Sequence, residues 1–196
     1  MSLDTSVVLL ILLSYFLGAL PFGLILSKLK GIDIRKVGSG NIGATNVYRN
    51  MGKTYGILVF ILDALKGWFP TYLALQLTQN PWLHISIGII AIVGHSFSIF
   101  VTFKGGKGVA TAGGMLLALD PLVFLIIFPS TIIAIKLCNY VAPCSIAAAI
   151  ITPLLLWVFK NPNAYIIPTS ILSFMIILKH KSNIIRLIQG KENKLQ

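Results

Sequence analysis

Charged residues are scarce in this chain. Only 11% of its 196 residues are Asp, Glu, Lys or Arg, and only five of them are acidic. Because about a quarter of the residues of an ordinary soluble domain are charged, this composition excludes a water-soluble globular protein, and it also excludes disorder, collagen and coiled coil. Hydrophobic residues make up 56% of the chain and the mean hydropathy is +0.88. We therefore predict an all-α polytopic membrane protein.

Acids and cysteines are too few for a metal site or a disulfide framework. The five acids are scattered, and the two cysteines, Cys138 and Cys144, lie in apolar surroundings without CxxC spacing. Because bound metals require clustered carboxylate, His or Cys ligands, we expect no metal. We interpret both cysteines as packing residues.

Long apolar runs define the spans. A bilayer core of about 30 Å requires roughly 20 apolar residues in a helix. Proline removes a helical donor and disfavours helix at the preceding residue, so the run 109–138 is predicted to form two helices that meet at Asp120-Pro121. We predict seven transmembrane helices, with re-entrant or interfacial cytoplasmic segments, in a single domain over residues 1–196. The other five spans are predicted near 5–27, 55–78, 83–102, 141–159 and 163–178.

The distribution of basic residues tests this topology. With seven spans, 14 of the 16 lysines and arginines lie on one face, Lys160 lies on the other and Lys66 lies inside a span. Because cytoplasmic loops carry an excess of basic residues, we predict a multi-pass protein of the cell (inner) membrane, with the N-terminus outside and the C-terminus in the cytoplasm. Lys66 follows Asp63 by three residues, which favours a structural ion pair or a loop anchor.

The first polar cluster is the glycine-rich segment from Val37 to Arg49. Its glycines permit backbone conformations that direct several N–H groups at one anion, and Arg49 adds a bidentate phosphate contact. The pattern Gly38-x-Gly40-x-x-Gly43 matches a dinucleotide fingerprint only formally, because no βαβ unit surrounds it. The alternative is a polar re-entrant turn in which the glycines only permit the backbone conformation and bind no phosphate. The predicted phosphate-binding residues are Ser39, Gly40, Asn41, Gly43, Ala44, Thr45, Asn46 and Arg49.

The second cluster contains His95 and the run Lys104-Gly105-Gly106-Lys107, which precedes the fourth span. Two lysines and approachable backbone at a helix N-terminus favour an anion. Snorkelling lysines are the alternative, although snorkelling does not require glycines. His95 has an alternative role as a packed hydrogen-bonding residue.

The third cluster is the basic tail 179–192. Apolar residues alternate there with basic ones, which predicts an interfacial amphipathic helix capped by Ser182 or Asn183 and ended by Gly190. Membrane docking alone would explain it. His180 and Asn183 additionally place a titratable group and an amide at one boundary. Because the predicted topology puts all three clusters on one face, we expect a composite site for two phosphorylated substrates, one of them lipidic.

The three segments together resemble the signature segments of the bacterial membrane acyl-phosphate:glycerol-3-phosphate acyltransferase family, in matching order and with seven spans. The chain departs from the family pattern at Ser98, where proline is expected, and at Lys179 and Lys181, where arginine is usual. The HxxxxD signature of the other large class of glycerolipid acyltransferases is absent.

The resemblance implies acyl transfer from a fatty acyl phosphate to the 1-hydroxyl of glycerol 3-phosphate, giving lysophosphatidic acid. It implies a monomer that uses no cofactor and whose partners are these substrates and membrane lipids, not nucleic acid. His180, Asn183 and Asn41 are the implied catalytic residues, and His95, Lys104 and Lys107 are implied in substrate binding with Gly105 and Gly106. The general base stays open between His180, His95 and the donor's own phosphate.

Two other functions remain open from the residues. A transporter of phosphate esters would use similar basic clusters, although the chain lacks the paired broken segments of inverted repeats. A phosphatidyl-type transferase would need clustered aspartates to hold a metal, and the five scattered acids argue against it.

Overall fold

The computed structural model describes residues 5–195, and that range is helical without any strand. The all-α prediction is confirmed. Two short 3₁₀ helices, Ile34–Lys36 and Ile99–Val101, occur in the connections. The α-helices are α1 Thr5–Ala19, α2 Phe22–Lys28, α3 Ala44–Met51, α4 Lys53–Leu77, α5 Pro81–Ser96, α6 Val109–Leu119, α7 Pro121–Cys138, α8 Val141–Val158, α9 Asn163–Lys179 and α10 Lys181–Ile188.

All seven predicted apolar segments are helical, but they differ in length. Four are long and apolar enough to cross a membrane: α4, α5 with its extension to Val101, α7 and α8. The pair α1 and α2 forms a fifth candidate span that is bent by 43°. The two remaining apolar helices are shorter, with 11 residues in α6 and 17 in α9. At 1.5 Å per residue, α6 is about 16 Å long, roughly half the thickness of a bilayer core.

The predicted break at Asp120 is confirmed. The Asp120 side chain accepts a hydrogen bond from the Val123 N–H at 3.0 Å, and Pro121 occupies the first helical position of α7. The carboxylate is also held by the Asn161 amide at 2.7 Å. A capping acid followed by proline is a strong helix start, so α6 and α7 are separate helices.

The fold divides into two compact units, one ending at Leu119 and the other beginning at Asp120. In the first unit, α4 packs closely against α6 and α1 against α5. Gly67 and Gly114 allow the first contact, because a Cβ at either position would overlap the backbone oxygen of Thr111 or Ala64. Small residues at a helix crossing are typical of membrane proteins.

The second unit is built on α8, which packs against α7 and α9. The Ser173 hydroxyl crosses from α9 to donate to the Ala149 carbonyl of α8 at 2.5 Å. Cys138 and Cys144 are both free thiols, with their Sγ atoms 3.4 Å apart. A single domain over residues 1–196 stays a prediction.

Candidate active site

The glycine-rich segment forms a tight turn before α3. Gly38 and Gly40 have φ angles of +60° and +70°, in the left-handed region that L side chains rarely adopt. Asn41 closes the end of the turn, because its Oδ1 accepts from the Gly43 N–H at 2.8 Å. The Ser39 side chain is exposed at the turn.

Asn46, the third residue of α3, organises this turn from below. Its side chain is buried, and its Oδ1 accepts from the Ser39 N–H at 3.0 Å. Its Nδ2 donates to three backbone carbonyls, those of Ile34, Val37 and Asn41, at 3.2, 3.0 and 2.9 Å. The sequence predicts Asn46 as a phosphate donor, but the structure engages its amide in holding the turn.

The first turn of α3 opens toward the same segment. Gly43 is its N-cap residue and supplies no side chain, and within residues 5–195 no side chain caps this helix. The backbone N–H groups at Ala44 and Thr45 belong to the positive end of the helix dipole, which suits an anion. Arg49 lies in the last turn of α3 and is half-buried.

Arg35 lies close to the turn but is committed elsewhere. Its guanidinium makes two hydrogen bonds to the Asp33 carboxylate, at 2.9 and 2.7 Å. Hydrogen bonding from Arg35 holds the pKa of Asp33 well below its usual range, and the same contact raises the pKa of Arg35. Arg35 is therefore a poor candidate for a substrate phosphate.

The loop between α5 and α6 is folded against His95. The Gly105 N–H donates to the Ser96 carbonyl at 3.3 Å and the Gly106 N–H to the His95 carbonyl at 3.1 Å. A Cβ at Gly105 would overlap the His95 carbonyl, and one at Gly106 would overlap the imidazole Nε2. These close approaches require glycine at both positions. Lysines that only snorkelled to the membrane surface would not need glycines between them. The Lys104 side chain is exposed, and Lys107 is half-buried.

Ser98, where the resemblance leads us to expect proline, has a backbone conformation that proline could also adopt. Its φ of −69° is one that proline would adopt. Its hydroxyl donates to the Ala19 carbonyl at 2.5 Å and accepts from the Phe100 N–H at 3.2 Å. The next turn is tight, because Thr102 and Phe103 have φ angles of 54° and 59°. Serine therefore fits this turn and adds a bond to the end of α1.

One buried cluster supports both loops. Ile42 of the glycine-rich turn and Val101, three residues before Lys104, belong to the same hydrophobic cluster as Leu24, Ile34 and Val47. Packing in a common core fixes the relative positions of surface segments. Within the first unit, the structure thus brings two of the three predicted clusters together.

The predicted ion pair between Asp63 and Lys66 is confirmed. Lys66 Nζ lies 2.8 Å from Asp63 Oδ1, and both side chains are almost fully buried in α4. Lys66 also donates to the Leu20 carbonyl at 2.9 Å, at the break between α1 and α2. His95 Nδ1 lies 3.7 Å from the same Asp63 oxygen.

An apolar cavity of about 250 Å³ opens beside Lys66. It adjoins the glycine-rich turn through α2, because Phe22 lines the cavity and the next residue, Gly23, packs against the Ile42 carbonyl. The cavity is lined by Leu17, Phe22, Leu62, Leu65, Lys66, Trp68 and Phe69.

In the second unit, the predicted tail helix exists, but its predicted cap is wrong. His180 is the N-cap of α10, so Ser182 and Asn183 lie inside the helix. His180 is buried, and its Nδ1 lies 2.8 Å from the Ile176 carbonyl. The Asn183 side chain instead donates to Glu192 Oε1 at 2.7 Å.

Glu192 has a structural role that its sequence position does not predict. Its side chain is 2% exposed, and its second oxygen accepts from Arg186 Nε at 2.9 Å. One carboxylate thus fixes both Asn183 and Arg186. The tail sequence does contain a signal for this contact, because a lone acid among basic residues is expected to have a partner if it is buried. Across residues 5–195, no three His, Cys, Asp or Glu side chains are grouped to hold a metal ion.

Comparison with known proteins decides the family. A sequence model of the family described as glycerol-3-phosphate acyltransferase matches residues 8–190. The chain belongs to the glycerol-3-phosphate acyltransferase family. A relative of that name from Trichlorobacter lovleyi is 45% identical over 183 residues, which cover 93% of this chain and 94% of the relative.

Solved structures agree with the family and with the fold. The glycerol 3-phosphate form of PlsY, an integral membrane glycerol 3-phosphate acyltransferase, is 41% identical and matches with a TM-score of 0.92, covering 96% of this chain and 95% of that one. Its lysophosphatidic acid form is 40% identical and matches with a TM-score of 0.90, at the same coverage. This chain is therefore an integral membrane acyltransferase, as the resemblance implied.

Proposed function

We propose that this acyltransferase moves a fatty acyl group from an acyl phosphate to the 1-hydroxyl of glycerol 3-phosphate, releasing lysophosphatidic acid and inorganic phosphate. The observation that carries the proposal is the pair of anion-binding segments, the glycine-rich turn and the lysine loop 104–107, which share one buried cluster. Two phosphorylated substrates require two such segments. The family membership supports glycerol 3-phosphate as acceptor.

The acyl phosphate is assigned to the glycine-rich turn. Its phosphate would lie at the first turn of α3, within reach of the Ser39 hydroxyl and of backbone N–H groups. The neighbouring apolar cavity beside Phe22 would take the first part of the alkyl chain, because burial of each CH₂ contributes about 0.8 kcal/mol. Gly40, Gly43, Ala44 and Thr45 supply the close backbone, and Asn46 holds it in place.

Glycerol 3-phosphate is assigned to the basic residues of the first unit. Arg49 offers a bidentate contact, and Lys104 and Lys107 offer charge on either side of two glycines. Its dianionic phosphate matches the positive charge of this set. His95, which packs against Gly106, helps to shape the loop.

The chemistry requires mainly positioning. An acyl phosphate is a mixed anhydride with a good leaving group, so the hydroxyl oxygen can attack the acyl carbon directly. The new ester C–O bond forms as the bond to the phosphate oxygen breaks, and the hydroxyl proton passes to the departing phosphate or to a histidine base. Donors from Asn41 and the α3 backbone would stabilise the oxyanion. On the strength of the resemblance, His180 and Asn183 remain proposed catalytic residues.

Mass spectrometry of the purified enzyme tests this function. With acyl phosphate and glycerol 3-phosphate, we expect lysophosphatidic acid and phosphate, with no product when acyl-CoA replaces acyl phosphate. Purified protein in detergent has no opposing compartments, so turnover there also excludes a transporter. Product formation from acyl-CoA alone would reject the proposed donor.

We propose the orientation in the membrane from the distribution of basic residues. We also propose that the acyltransferase acts as a monomer in the cell (inner) membrane. In a background without Cys138 and Cys144, single cysteines at Asn163 and Ser182 are expected to label differently with an impermeant thiol reagent on intact cells. Both side chains are exposed, and Asn163 is preferred to Asn161 because the latter holds Asp120. Only the cysteine at 163 should react, because the positive-inside rule puts the tail in the cytoplasm. Labelling at 182 alone would reverse the orientation.

A further inference from the structure

Asp63 is a buried carboxylate inside a transmembrane helix. Its side chain is 3% exposed, as are 2% of Lys66 and 5% of His95. Charges in such positions are costly to bury and are by default a sign of function. A buried ion pair is also weak evidence for stability, since apolar residues of similar size often replace it without loss. The pair therefore needs an explanation beyond stability.

Lys66 accounts for only one of the contacts of Asp63. The lysine bridges from Asp63 to the Leu20 carbonyl, where α1 ends before Pro21. The Leu20 carbonyl lies at the break between α1 and α2, where it accepts from the Lys66 ammonium group and from the Phe22 N–H at 3.1 Å. This arm of the network is structural.

The second contact leads to the lysine loop. His95 Nδ1 faces Asp63 Oδ1 at 3.7 Å, which is too long for a hydrogen bond but within the range of an electrostatic contact. The opposite side of the ring, Nε2, packs against Gly106 so closely that no Cβ fits between them. The His95 carbonyl also accepts from the Gly106 N–H at 3.1 Å. The orientation of this imidazole thus limits where the loop can lie.

We propose that Asp63 is a positioning residue of the acyltransferase reaction: it orients the His95 imidazole and thereby holds loop 104–107 where glycerol 3-phosphate binds. The carboxylate favours a proton on Nδ1, the ring nitrogen that faces it, and so selects one ring orientation. This inference rests on the proposed function, because it assigns the loop to that substrate.

Two double variants separate positioning from stability. D63L/K66M replaces the ion pair by apolar residues and removes the acceptor that faces His95. D63N/K66M differs only in keeping an amide oxygen at that point, so both variants lose the contact to Leu20 equally. We expect D63L/K66M to raise the KM for glycerol 3-phosphate by about tenfold to a hundredfold, since small misplacements of binding groups have effects of this size.

The conservative double variant should restore much of that loss. D63N/K66M is expected to have a KM for glycerol 3-phosphate closer to wild type, with kcat changed much less than KM in both variants. Its melting temperature should be equal to or below that of D63L/K66M, because a buried amide is costlier than leucine. D63N/K66M would then have the lower KM without having the higher melting temperature, which a purely structural ion pair does not predict.

The possible outcomes separate this inference from the proposed function. An active wild-type enzyme whose two double variants share one KM would overturn the role of Asp63 and leave the function intact. An inactive wild-type enzyme would reject the function itself. If D63L/K66M does not fold, ¹⁵N NMR of the wild-type histidine side chains, assigned with His95→Gln, decides instead. A proton on His95 Nδ1 is expected, and its absence would overturn the proposal.

Discussion

Replacing Lys104 with alanine is expected to raise the KM for glycerol 3-phosphate by about one to two orders of magnitude. A hydrogen bond to a charged group contributes about 1.5–3 kcal/mol, and each 1.4 kcal/mol is about tenfold in affinity. The Lys104 side chain is exposed, so the fold should be unaffected. Steady-state kinetics with each substrate varied in turn measures the change.

Two further variants make the Lys104 result specific. Lys53→Ala removes another exposed lysine, at the start of α4 and outside the three polar clusters, and should leave both KM values near wild type. Ser39→Ala should instead raise the requirement for acyl phosphate, because its short side chain reaches only what the turn encloses. If Lys104→Ala weakened only acyl phosphate, and Ser39→Ala only glycerol 3-phosphate, the two assignments would be inverted.

Most apolar helices and the break at Asp120 were predictable, because they depend on local sequence, whereas the bend between α1 and α2 inside the predicted span 5–27 was missed. The apolar runs are long enough to be recognised in the sequence. The start of α7 at Asp120-Pro121 combines a capping side chain with a residue that has no N–H. The Asp63 and Lys66 pair was predictable for the same reason, since i,i+3 spacing puts both on one helix face. Such features need no knowledge of distant residues.

The roles of polar side chains were less predictable, because they depend on acceptors far away in sequence. Asn46 resembles Asn41 in the sequence, yet it is buried and bonded to carbonyls up to 12 residues away. Asn183 looks like a helix cap in the sequence, but it lies inside α10 and its amide donates to Glu192, nine residues later. The 3.6-residue periodicity of a helix contains no information about such partners.

Acidic residues offer a rule that local patterns lack. Four of the five acids lie in the described residues 5–195, and each has a polar partner there: Arg35, Lys66, Asn161, and for Glu192 both Asn183 and Arg186. In a chain with so few acids, an unpaired buried carboxylate would be costly. By this rule Glu192, an acid among basic residues, would have been expected to bond polar neighbours in the tail, as it does.

Replacing Asn46 with aspartate is expected to lower kcat/KM for acyl phosphate by at least about a hundredfold. The change is nearly isosteric, but it removes the Nδ2 donor from the carbonyls of Ile34, Val37 and Asn41 and places a carboxylate oxygen among them. Each buried group left unsatisfied costs about 1–3 kcal/mol. Because about 1.4 kcal/mol corresponds to a factor of ten in rate, three such losses of at least about 1 kcal/mol each amount to roughly a hundredfold or more.

The damage should stay local, which distinguishes it from global unfolding. The glycine-rich turn is a surface segment, and surface segments can open while the remaining helices stay folded, so circular dichroism should show the wild-type helix content. Asn50→Asp is the matched control: the same substitution in α3, at an exposed side chain that donates to Asn46 at 2.8 and 3.0 Å. Water can replace those two bonds, so activity should stay within about tenfold of wild type. Equal activity of the two aspartate variants would show that the carboxamide of Asn46 does not hold the turn, and the phosphate would then have to be bound by the basic residues alone.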